Sequence, residues 1–343
     1  MKGVCAVRVC VYGAGSIGCY VGGRLAAAGV DVVLVGRERL AKEVREHGLR
    51  ITDWQGADIA VRPEGVRYAT SAAAAAGADL VLVTVKSAAT EQAAAELEPV
   101  IAGDAVVVSF QNGVRNADVL RAGLPGRTVL AGMVAFNVIQ RGQGGFHAGT
   151  EGGLEVEDSP ALTPYLEIFE RAGLPLERHA EMLPVMWAKL LLNLNNSINA
   201  LSGQPLKAEL SQRAFRRCVA LAQEETLGVL TAAGITPARI TPLPPQWFPR
   251  LLRLPDMLFS SLAGRTLAMD PHARSSMLDD LDAGRTTEVD HLNGEAVQLA
   301  GSVGRTAPVN ARLVELVHAA EAGGRRDWTG NDLYDDLRAA ARA

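Results

Sequence analysis

The chain is 343 residues long, which favours two domains over one. With 48% hydrophobic and 21% charged residues it has the composition of a soluble globular protein, and its net charge of −4 argues against nucleic acid or a membrane surface as a partner. No apolar run approaches the ~20 residues that cross a bilayer.

Cysteine is scarce in this chain. Cys5, Cys10, Cys19 and Cys218 form no C-x-x-C pair, and the strand-like segment VRVCVYG near the start leaves no room for a signal peptide before it. These features predict a reduced, cytoplasmic protein with neither a disulfide framework nor a metal site.

The first half of the chain alternates short apolar strands with helices. We expect a helix at about 16–28, a hairpin at 49–61 around Gln55-Gly56, a helix in the alanine run 72–76, and strands at 7–12, 31–37, 79–85, 105–110 and 127–135. Continuous Val and Leu runs of this kind are typical of a parallel sheet covered on both faces. The fold class predicted is therefore α/β, with an N-terminal Rossmann-like parallel sheet domain followed by an all-α C-terminal domain.

The rest of the chain has a different pattern. Residues 137–158 look antiparallel, a helix at 160–172 and the strand LPLERH follow, and helices are expected from about 181 and near 257–282, 288–304 and 309–322. Six prolines between 235 and 256 argue against regular helix there, and the charged tail is expected to pack loosely. We divide the chain into a dinucleotide-binding Rossmann domain (1–180), a helical substrate and catalytic domain (181–323) and a C-terminal tail (324–343).

A glycine-rich turn follows the first strand. Its residues match G-x-G-x-x-G at a helix start, and they are Gly13, Ala14, Gly15, Ser16, Ile17 and Gly18. In such a motif the first glycine permits the turn, the second lets the backbone approach a pyrophosphate, and the third allows close helix–strand packing. The helix N-terminus adds N–H groups for the phosphates, so the motif predicts a dinucleotide site.

The end of the second strand indicates which dinucleotide is bound. An NAD site places Asp or Glu there, whereas this strand ends at Arg37. Arginine can grip a 2′-phosphate with two hydrogen bonds, and Lys86, at the end of another central strand, could add a second charge. NADPH is therefore the predicted cofactor, the alternative being that both side chains are ordinary solvated cations.

Asn112 follows the strand AVVVSF in a Gln-Asn-Gly turn. Turn chemistry alone would explain it, because Asn-Gly is a favoured turn pair. However, Gly13, Arg37, Lys86 and Asn112 all come just after strands. In open α/β sheets ligands bind at that edge, so the four positions together favour a binding site.

The segment WAKLLLNLNNSINALSG, residues 187–203, reads as an apolar helix that carries an ammonium and several amides. Lys189, Asn193 and Asn196 fall on one face, with Ser197 at its edge. A lysine with a lowered pKa, held by amides near a ketone oxygen, can act as the general acid after hydride transfer. The alternative is a structural lysine that bonds the backbone where two domains join.

A second polar group of residues lies between 275 and 294. Gly284 divides this segment, and Thr287 is expected to cap a new helix with Asp290 in a capping box. Glu288 would then lie in the first turn, where the helix dipole stabilises a carboxylate. The functional interpretation has Glu288 bonding a substrate hydroxyl or the Lys189 ammonium, and Ser276 receiving a substrate carboxylate.

Four motifs together resemble the ketopantoate reductase (2-dehydropantoate 2-reductase) family. They are GAGSIG at 13–18, QNG at 111–113, WAKLLLN at 187–193 and SSMLDDL…GRTTEVDHLNG at 275–294, within a resemblance that runs from about residue 7 to 318. The resemblance implies NADPH-dependent reduction of 2-dehydropantoate to pantoate, on the route to pantothenate and coenzyme A. It also implies a Rossmann domain, a helical domain and a site between them.

The resemblance also implies roles for single residues. Lys189 would be the general acid and Glu288 the carboxylate that binds the substrate hydroxyl, with a contact to the cofactor as well. Asn112, Asn193 and Ser276 would contact substrate or cofactor.

The chain departs from the family pattern at two positions. The family usually has another Asn eight residues after the lysine, where this chain has Ser197. Asn196 takes that role if the helix register shifts by one residue. Near Pro205 the family often supplies a further substrate-binding Asn, where this chain has Leu206. Both departures bear on the identity of the 2-oxoacid.

Three alternatives to this function stay open. The oligomeric state is also open, and a homodimer is one possibility. One alternative is a reductase of another branched 2-oxoacid. Another is a β-hydroxyacid dehydrogenase, but that class generally carries a Ser-Gly-Gly loop where residues 131–140 here read AGMVAFNVIQ. The third is a non-catalytic NADPH-binding regulator, which would not need Lys189 and Glu288 together.

Overall fold

The computed structural model describes residues 7–262 and 273–342, so Cys5 lies outside the described residues. The contacts divide the chain into two compact units, Met1–Met182 and Leu183–Ala343. This division falls two residues after the domain boundary expected from the sequence. Each unit is described separately below.

The first unit combines short strands with helices. Its strands are β1 (Arg8–Tyr12), β2 (Asp31–Val35), β3 (Leu49–Asp53), β4 (Asp58–Val61), β5 (Arg67–Ala69), β6 (Leu80–Val83), β7 (Val106–Phe110), β8 (Thr128–Val134), β9 (Val138–Gly142), β10 (Gly145–Ala148), β11 (Leu154–Glu157) and β12 (Leu176–His179). Its α-helices are α1 (Ser16–Ala27), α2 (Glu38–His47), α3 (Thr90–Leu97), α4 (Asn116–Gly123) and α5 (Leu166–Arg171).

Eight of these strands form the main sheet, in the order β12-β11-β8-β7-β6-β1-β2-β5. Neighbouring strands run parallel except β8 and β11. Alternate side chains fill two cores: Val9 and Val11 pack on the side of α1 and α5, and Cys10 and Tyr12 on the side of α3 and α4. The predicted Rossmann-type sheet covered on both faces is confirmed.

A second sheet has the order β4-β3-β10-β9. The expected hairpin at 49–61 is its antiparallel pair β3–β4, and Gly56 makes the turn with a φ of 95°. The expected antiparallel segment supplies the hairpin β9–β10, and β10 joins β3 in parallel register. Pairing between β3 and β10, which lie far apart in sequence, thus joins the predicted hairpin to the segment that was expected to be antiparallel.

Two predicted helices of this unit are shorter than expected. The alanine run forms a 3-10 turn, Ala72–Ala75, because Ser71 caps it and Gly77, with a φ of 72°, ends it before β6. The segment predicted at 160–172 begins as a 3-10 turn, Pro160–Tyr165, and becomes helical only in α5. Pro164 lies inside that turn and has no N–H to donate to an α-helical ladder.

The second unit is helical in its described residues. Its helices are α6 (Leu183–Asn193), α7 (Asn195–Ser202), α8 (Leu206–Leu210), α9 (Arg213–Ala232), α10 (Phe248–Leu252), α11 (Asp256–Leu262), α12 (Ser276–Asp282), α13 (Asn293–Ser302), α14 (Pro308–Glu321) and α15 (Gly330–Ala340). The long helix α9 lies at the centre of the unit and packs against α10, α13, α14 and α15.

The helix predicted over 187–203 is interrupted at Leu194, between α6 and α7. The Gln223 side chain on α9 donates a hydrogen bond to the Leu191 carbonyl at 2.9 Å. A side-chain donor inserted into the helical ladder is a recognised cause of such breaks. The interruption therefore depends on a tertiary contact that lies outside the sequence pattern of the helix itself.

Two other expectations for this unit are wrong. The proline-rich segment contains the short helix α10, because Pro249 occupies its first turn, where a missing N–H costs nothing. The tail is not loosely packed: it forms α15, whose Leu333 and Leu337 are fully buried and which packs on α9. The middle of the predicted helix 257–282 lies outside the described residues.

No helix in the described part of the chain is both long enough and apolar enough to cross a membrane.

Candidate active site

The glycine turn links the ends of β1 and β2. The amides of Gly13 and Ala14 donate to the Val35 carbonyl at 2.9 and 2.8 Å. Gly13 has a φ of 109°, and a Cβ there would lie 2.5 Å from the Val85 nitrogen. A Cβ on Gly18 would lie 2.5 Å from the Gly13 carbonyl oxygen. Packing within the chain therefore explains both of these glycines.

Gly15 requires a different explanation. It is exposed, its φ of −91° suits any residue, and among the described residues a Cβ there would meet only the Gly13 carbonyl oxygen, at 3.9 Å. Gly15 is also the N-cap of α1, and within the described chain no side chain caps that helix. An uncapped helix start beside open space suits a phosphate group, so this turn fits the pyrophosphate of a dinucleotide.

Arg37 follows β2 and is the N-cap residue of α2. It is exposed, and no carboxylate in residues 7–262 or 273–342 pairs with it. Its neighbour Glu38 bonds Arg45 at 3.0 Å instead. Tyr68 closes the other side of this strand end by donating its hydroxyl to the Ala14 carbonyl at 3.1 Å. A guanidinium at this strand end fits a 2′-phosphate better than a ribose hydroxyl.

Lys86 and Asn112 stand on turns after β6 and β7. Lys86 is exposed and precedes the 3-10 turn Ser87–Ala89, and Asn112 is half-buried. The Ser87 hydroxyl donates to the Asn112 carbonyl at 2.8 Å, which ties the two turns together.

Sequence reasoning missed the polar groups beneath these turns. The Gln111 amide donates to the Val85 carbonyl at 3.0 Å and to the Thr90 hydroxyl at 2.8 Å. The Thr90 hydroxyl in turn donates to the side-chain Oδ1 of Asn116 at 2.9 Å. A polar QNG turn straight after an apolar strand is the one local signal, because buried amides need partners.

The main sheet brings four predicted residues to one edge. Because β1, β2, β6 and β7 are adjacent and parallel, Gly13, Arg37, Lys86 and Asn112 all follow their carboxyl ends. The strand order reverses at β1, with β2 on one side and β6 on the other. Such a switch point is where open α/β sheets bind ligands.

Lys189 lies on α6 among buried neighbours. Trp187 is 2% exposed and Leu190 is 1% exposed, and Lys189 itself is partly buried. Desolvation by burial lowers the pKa of the Lys189 ammonium. Asn193, the last residue of α6, is also partly buried and lies one helical turn further along.

The start of α7 distinguishes between Asn196 and Ser197. Ser197 is fully buried, and its hydroxyl donates to the Leu194 carbonyl at 3.0 Å. Asn196 is only partly buried. The Ser275 hydroxyl donates to the Asn196 carbonyl at 3.4 Å, which brings Asn196 close to the start of α12.

Ser276 is the exposed first residue of α12, and Ser275 caps that helix by accepting from the Leu278 amide at 3.1 Å. A substrate group could therefore reach the Ser276 side chain, while the hydroxyl of Ser275 is already used.

Glu288 is partly buried and precedes the 3-10 turn Val289–His291. The predicted capping box is wrong: Thr287 accepts from the Val289 amide at 3.3 Å, and α13 begins only at Asn293. Asp290 bonds His318 at 3.0 Å, and the Thr287 amide donates to Glu321 instead. Hydrogen bonds to α14 thus replace the expected local motif.

The Glu288 turn is held by the end of α14. Glu321 accepts from the Thr287 amide at 2.7 Å and pairs with His318 at 2.9 Å. The hydrogen bond to Glu321 is the largest cause that raises the pKa of His318. His318 thus bonds both Glu321 and Asp290, and these contacts hold the turn that carries Glu288.

Both units match models of one protein family. The model of ketopantoate reductase PanE/ApbA matches residues 9–161, and that of the ketopantoate reductase PanE/ApbA C terminal matches residues 181–321. A 2-dehydropantoate 2-reductase of Halobacterium salinarum is 31% identical over 330 residues, covering 93% of this chain and 100% of the relative.

Solved structures agree with these matches. A PanE/ApbA family ketopantoate reductase from Ralstonia eutropha is 33% identical with a TM-score of 0.77, covering 92% of this chain and 99% of that one. D-mandelate dehydrogenase in a ternary structure with NADH and anilino(oxo)acetate has a TM-score of 0.76 over 92% of this chain and 99% of that one. At 19% identity this second likeness concerns the fold alone. The chain belongs to the ketopantoate reductase family, whose members are NAD(P)-dependent oxidoreductases acting on CH–OH groups.

Proposed function

We propose that the protein reduces 2-dehydropantoate to pantoate with NADPH, a step on the route to pantothenate and coenzyme A. The observation that carries the proposal is the desolvated Lys189 ammonium with Asn193 one turn away. Reduction of a ketone needs a proton for the developing alkoxide, and a lysine of lowered pKa can supply it near neutral pH.

The cofactor preference rests on Arg37. Its exposed guanidinium has no carboxylate partner among the described residues, and it follows the strand whose end meets the adenosine ribose in such folds. Lys86 adds positive charge at the same edge. Both favour NADPH, with its 2′-phosphate, over NADH.

The proposed mechanism assigns each side chain one task. The glycine turn at 13–18 would hold the pyrophosphate of the cofactor, whose nicotinamide would supply the hydride when bound. Lys189 holds a proton at its Nζ and passes it to the substrate carbonyl oxygen. Asn193 orients that oxygen, and Glu288 accepts a hydrogen bond from the substrate hydroxyl.

The substrate carboxylate is assigned to Ser276 and Asn196. Asn112 would hold the substrate or the nicotinamide side of the cofactor, and Glu288 would also contact the cofactor. Ser197 would contribute only if its hydroxyl left the Leu194 carbonyl.

A second candidate is a bulkier branched 2-oxoacid. Leu206 has an apolar side chain where the family often has a substrate-binding Asn. Ser197, which is fully buried, stands where the family usually has another Asn. Both changes remove polar groups from the expected substrate contacts. From the family resemblance we also propose that the protein is cytoplasmic and forms a homodimer. Light scattering of the purified protein would give its molar mass and so test the homodimer.

The test is NADPH oxidation with a panel of 2-oxoacids. We expect 2-dehydropantoate to have the highest kcat/KM, and the Lys189→Ala variant to lose activity while Lys42→Ala, an exposed lysine in the other unit, keeps it. Higher kcat/KM with a bulkier 2-oxoacid would favour the second candidate. Cofactor binding without turnover of any 2-oxoacid would contradict both.

A further inference from the structure

A carboxyl group without a basic partner is buried in the second unit. Glu209 on α8 is 0% exposed, and among the described residues the side chains that act on its carboxyl group are those of Asn199 and Asn195, with no lysine, arginine or histidine. Its Oε2 accepts from the Asn199 amide at 2.8 Å and from the Asn195 amide at 3.4 Å. Its Oε1 has no hydrogen-bond partner in the described residues. Burying such a group is costly, so its presence needs a reason.

Asn199 connects Glu209 to the start of α12. Asn199 is 0% exposed, and its Oδ1 accepts from the Ser275 backbone amide at 3.1 Å. Its amide nitrogen donates to Glu209 and also to the Gln204 carbonyl at 2.8 Å. The side-chain nitrogen and oxygen of Asn199 are therefore both hydrogen-bonded, and these bonds fix the orientation of the side chain.

Ser275 connects Asn199 to two residues proposed to contact the substrate, Asn196 and Ser276. Its hydroxyl caps α12 through the Leu278 amide and donates to the Asn196 carbonyl at 3.4 Å. Ser276 follows it directly as the exposed first residue of α12. A displacement of Ser275 would thus move Ser276 along with it.

We propose that Glu209 is a positioning residue for substrate binding: through Asn199 it fixes the backbone at Ser275 and so places the Ser276 side chain. The inference rests on the proposed function, in which Ser276 binds the substrate carboxylate. Glu209 itself touches no substrate in this scheme. It acts only by fixing the side-chain amide of Asn199, which in turn holds the backbone at the start of α12.

Two substitutions of Glu209 separate its hydrogen bonding from its volume. Burial raises the pKa of Glu209 to about 8, so the group is a neutral acid near pH 7 and glutamine reproduces its carbonyl oxygen. Glu209→Gln should leave the KM for the 2-oxoacid within about twofold. Glu209→Leu fills similar space without an acceptor, and we expect its 2-oxoacid KM to rise about tenfold while kcat and the KM for NADPH change less than threefold.

A matched control distinguishes positioning from general destabilisation. Thr226 on α9 is also fully buried, and its hydroxyl donates to the Ala222 carbonyl at 2.8 Å. Thr226→Val should lower stability without changing the 2-oxoacid KM. If both variants raise that KM equally, Glu209 has only a structural role and the proposal is overturned.

Hydrogen exchange provides a measurement independent of turnover. The Ser275 amide should exchange faster in Glu209→Leu than in the wild type, and at the wild-type rate in Glu209→Gln. Unchanged exchange in the leucine variant would show that Glu209 does not hold this amide. If Glu209→Leu fails to fold, Asn199→Ala removes the side-chain oxygen that accepts from the Ser275 backbone amide and should raise the 2-oxoacid KM in the same way.

A double-mutant cycle separates this inference from the proposed function. Ser276→Ala alone should raise the 2-oxoacid KM, and adding Glu209→Leu should raise it little further, because both changes remove one interaction. Additive effects would overturn the positioning role while leaving the proposed function intact. No effect of Ser276→Ala, or no turnover of any 2-oxoacid by the wild type, would remove the substrate role on which the inference depends.

Discussion

Lys189 illustrates how burial changes the pKa of a side chain from the value usual for its residue type. An ordinary lysine holds its proton up to about pH 10.5, whereas desolvation lowers the pKa of this one. Its apolar neighbours on α6 are visible in the sequence, so the residue could be singled out before the fold was known. Glu209 could not, because its segment LKAEL looks like an ordinary surface helix and only tertiary packing buries it.

The lowered pKa of Lys189 predicts the pH dependence of turnover. A general acid must carry its proton, so kcat should fall as pH rises through the lowered pKa, at a lower pH than for an exposed lysine. In Lys189→Ala this fall should disappear and kcat should drop about 10²- to 10⁴-fold. A pH series of kcat for both proteins measures the effect, and an unchanged alkaline limb in the variant would contradict the role.

The position of Arg37 predicts that the protein prefers NADPH to NADH. Arg37→Ala should raise the KM for NADPH about 10- to 100-fold, because charge-assisted hydrogen bonds to the 2′-phosphate are lost, and should leave the KM for NADH nearly unchanged. Arg39→Ala is the matched control, since Arg39 lies two residues away and its side chain is 74% exposed. Equal effects of the two substitutions would point to the general charge of this surface instead.

At the scale of elements, the strands were predictable and several helix ends were not. The Val and Leu runs of β1, β2, β6 and β7 carry a local signal, because strands buried on both faces must be apolar throughout. The break at Leu194 has no such signal, since it follows from Gln223 on another helix. The capping of α14 also comes from another helix, so no local sequence motif could reveal it.

Glu225 on α9 supplies that cap. Its carboxylate accepts from the Val309 and Asn310 amides at 2.9 and 2.8 Å, at the first turn of α14. Desolvation is the largest influence on this carboxyl group and raises its pKa. Acceptors at a helix start satisfy amides that have no partner within the helix.

Removing this cap should destabilise the second unit. Glu225→Ala is expected to lower the free energy of unfolding by about 2 kcal/mol, and Glu225→Gln by about half as much because it keeps one oxygen. The neighbouring Glu224→Ala, which loses only an exposed pair with Arg253, should cost less than about 1 kcal/mol. Urea unfolding compares the three, and equal losses for Glu224 and Glu225 would contradict the capping role.

The proposed chemistry is divided between the two units. The first holds Arg37 and the glycine turn proposed to bind the pyrophosphate, and the second holds Lys189 and Glu288. Each also matches its own family model, over 9–161 and 181–321. Cofactor binding and proton donation should therefore be separable by substitution, so that a variant in the first unit can lose its cofactor while the chain stays folded.

Gly15 and Gly18 provide that test. Within the described chain a Cβ on Gly15 would meet only the Gly13 carbonyl oxygen, at 3.9 Å, whereas one on Gly18 would lie 2.5 Å from that oxygen and 2.7 Å from the Thr84 hydroxyl. Gly18→Ala should therefore lower the stability of the protein without cofactor by about 1 to 3 kcal/mol, and Gly15→Ala should not. NADP⁺ at 100 times its Kd should stabilise the wild type by about 2.7 kcal/mol.

Without cofactor, Gly18→Ala should therefore be the more destabilising substitution, whereas with cofactor Gly15→Ala should have the larger effect on the stabilisation by NADP⁺. At the same NADP⁺ concentration Gly15→Ala should lose most of that stabilisation, because the new methyl group occupies the space where the pyrophosphate approaches the backbone. Thermal unfolding with and without NADP⁺ measures both effects. If Gly15→Ala keeps the full ligand-induced shift, the pyrophosphate does not lie against this residue, and the open space beside it has another cause.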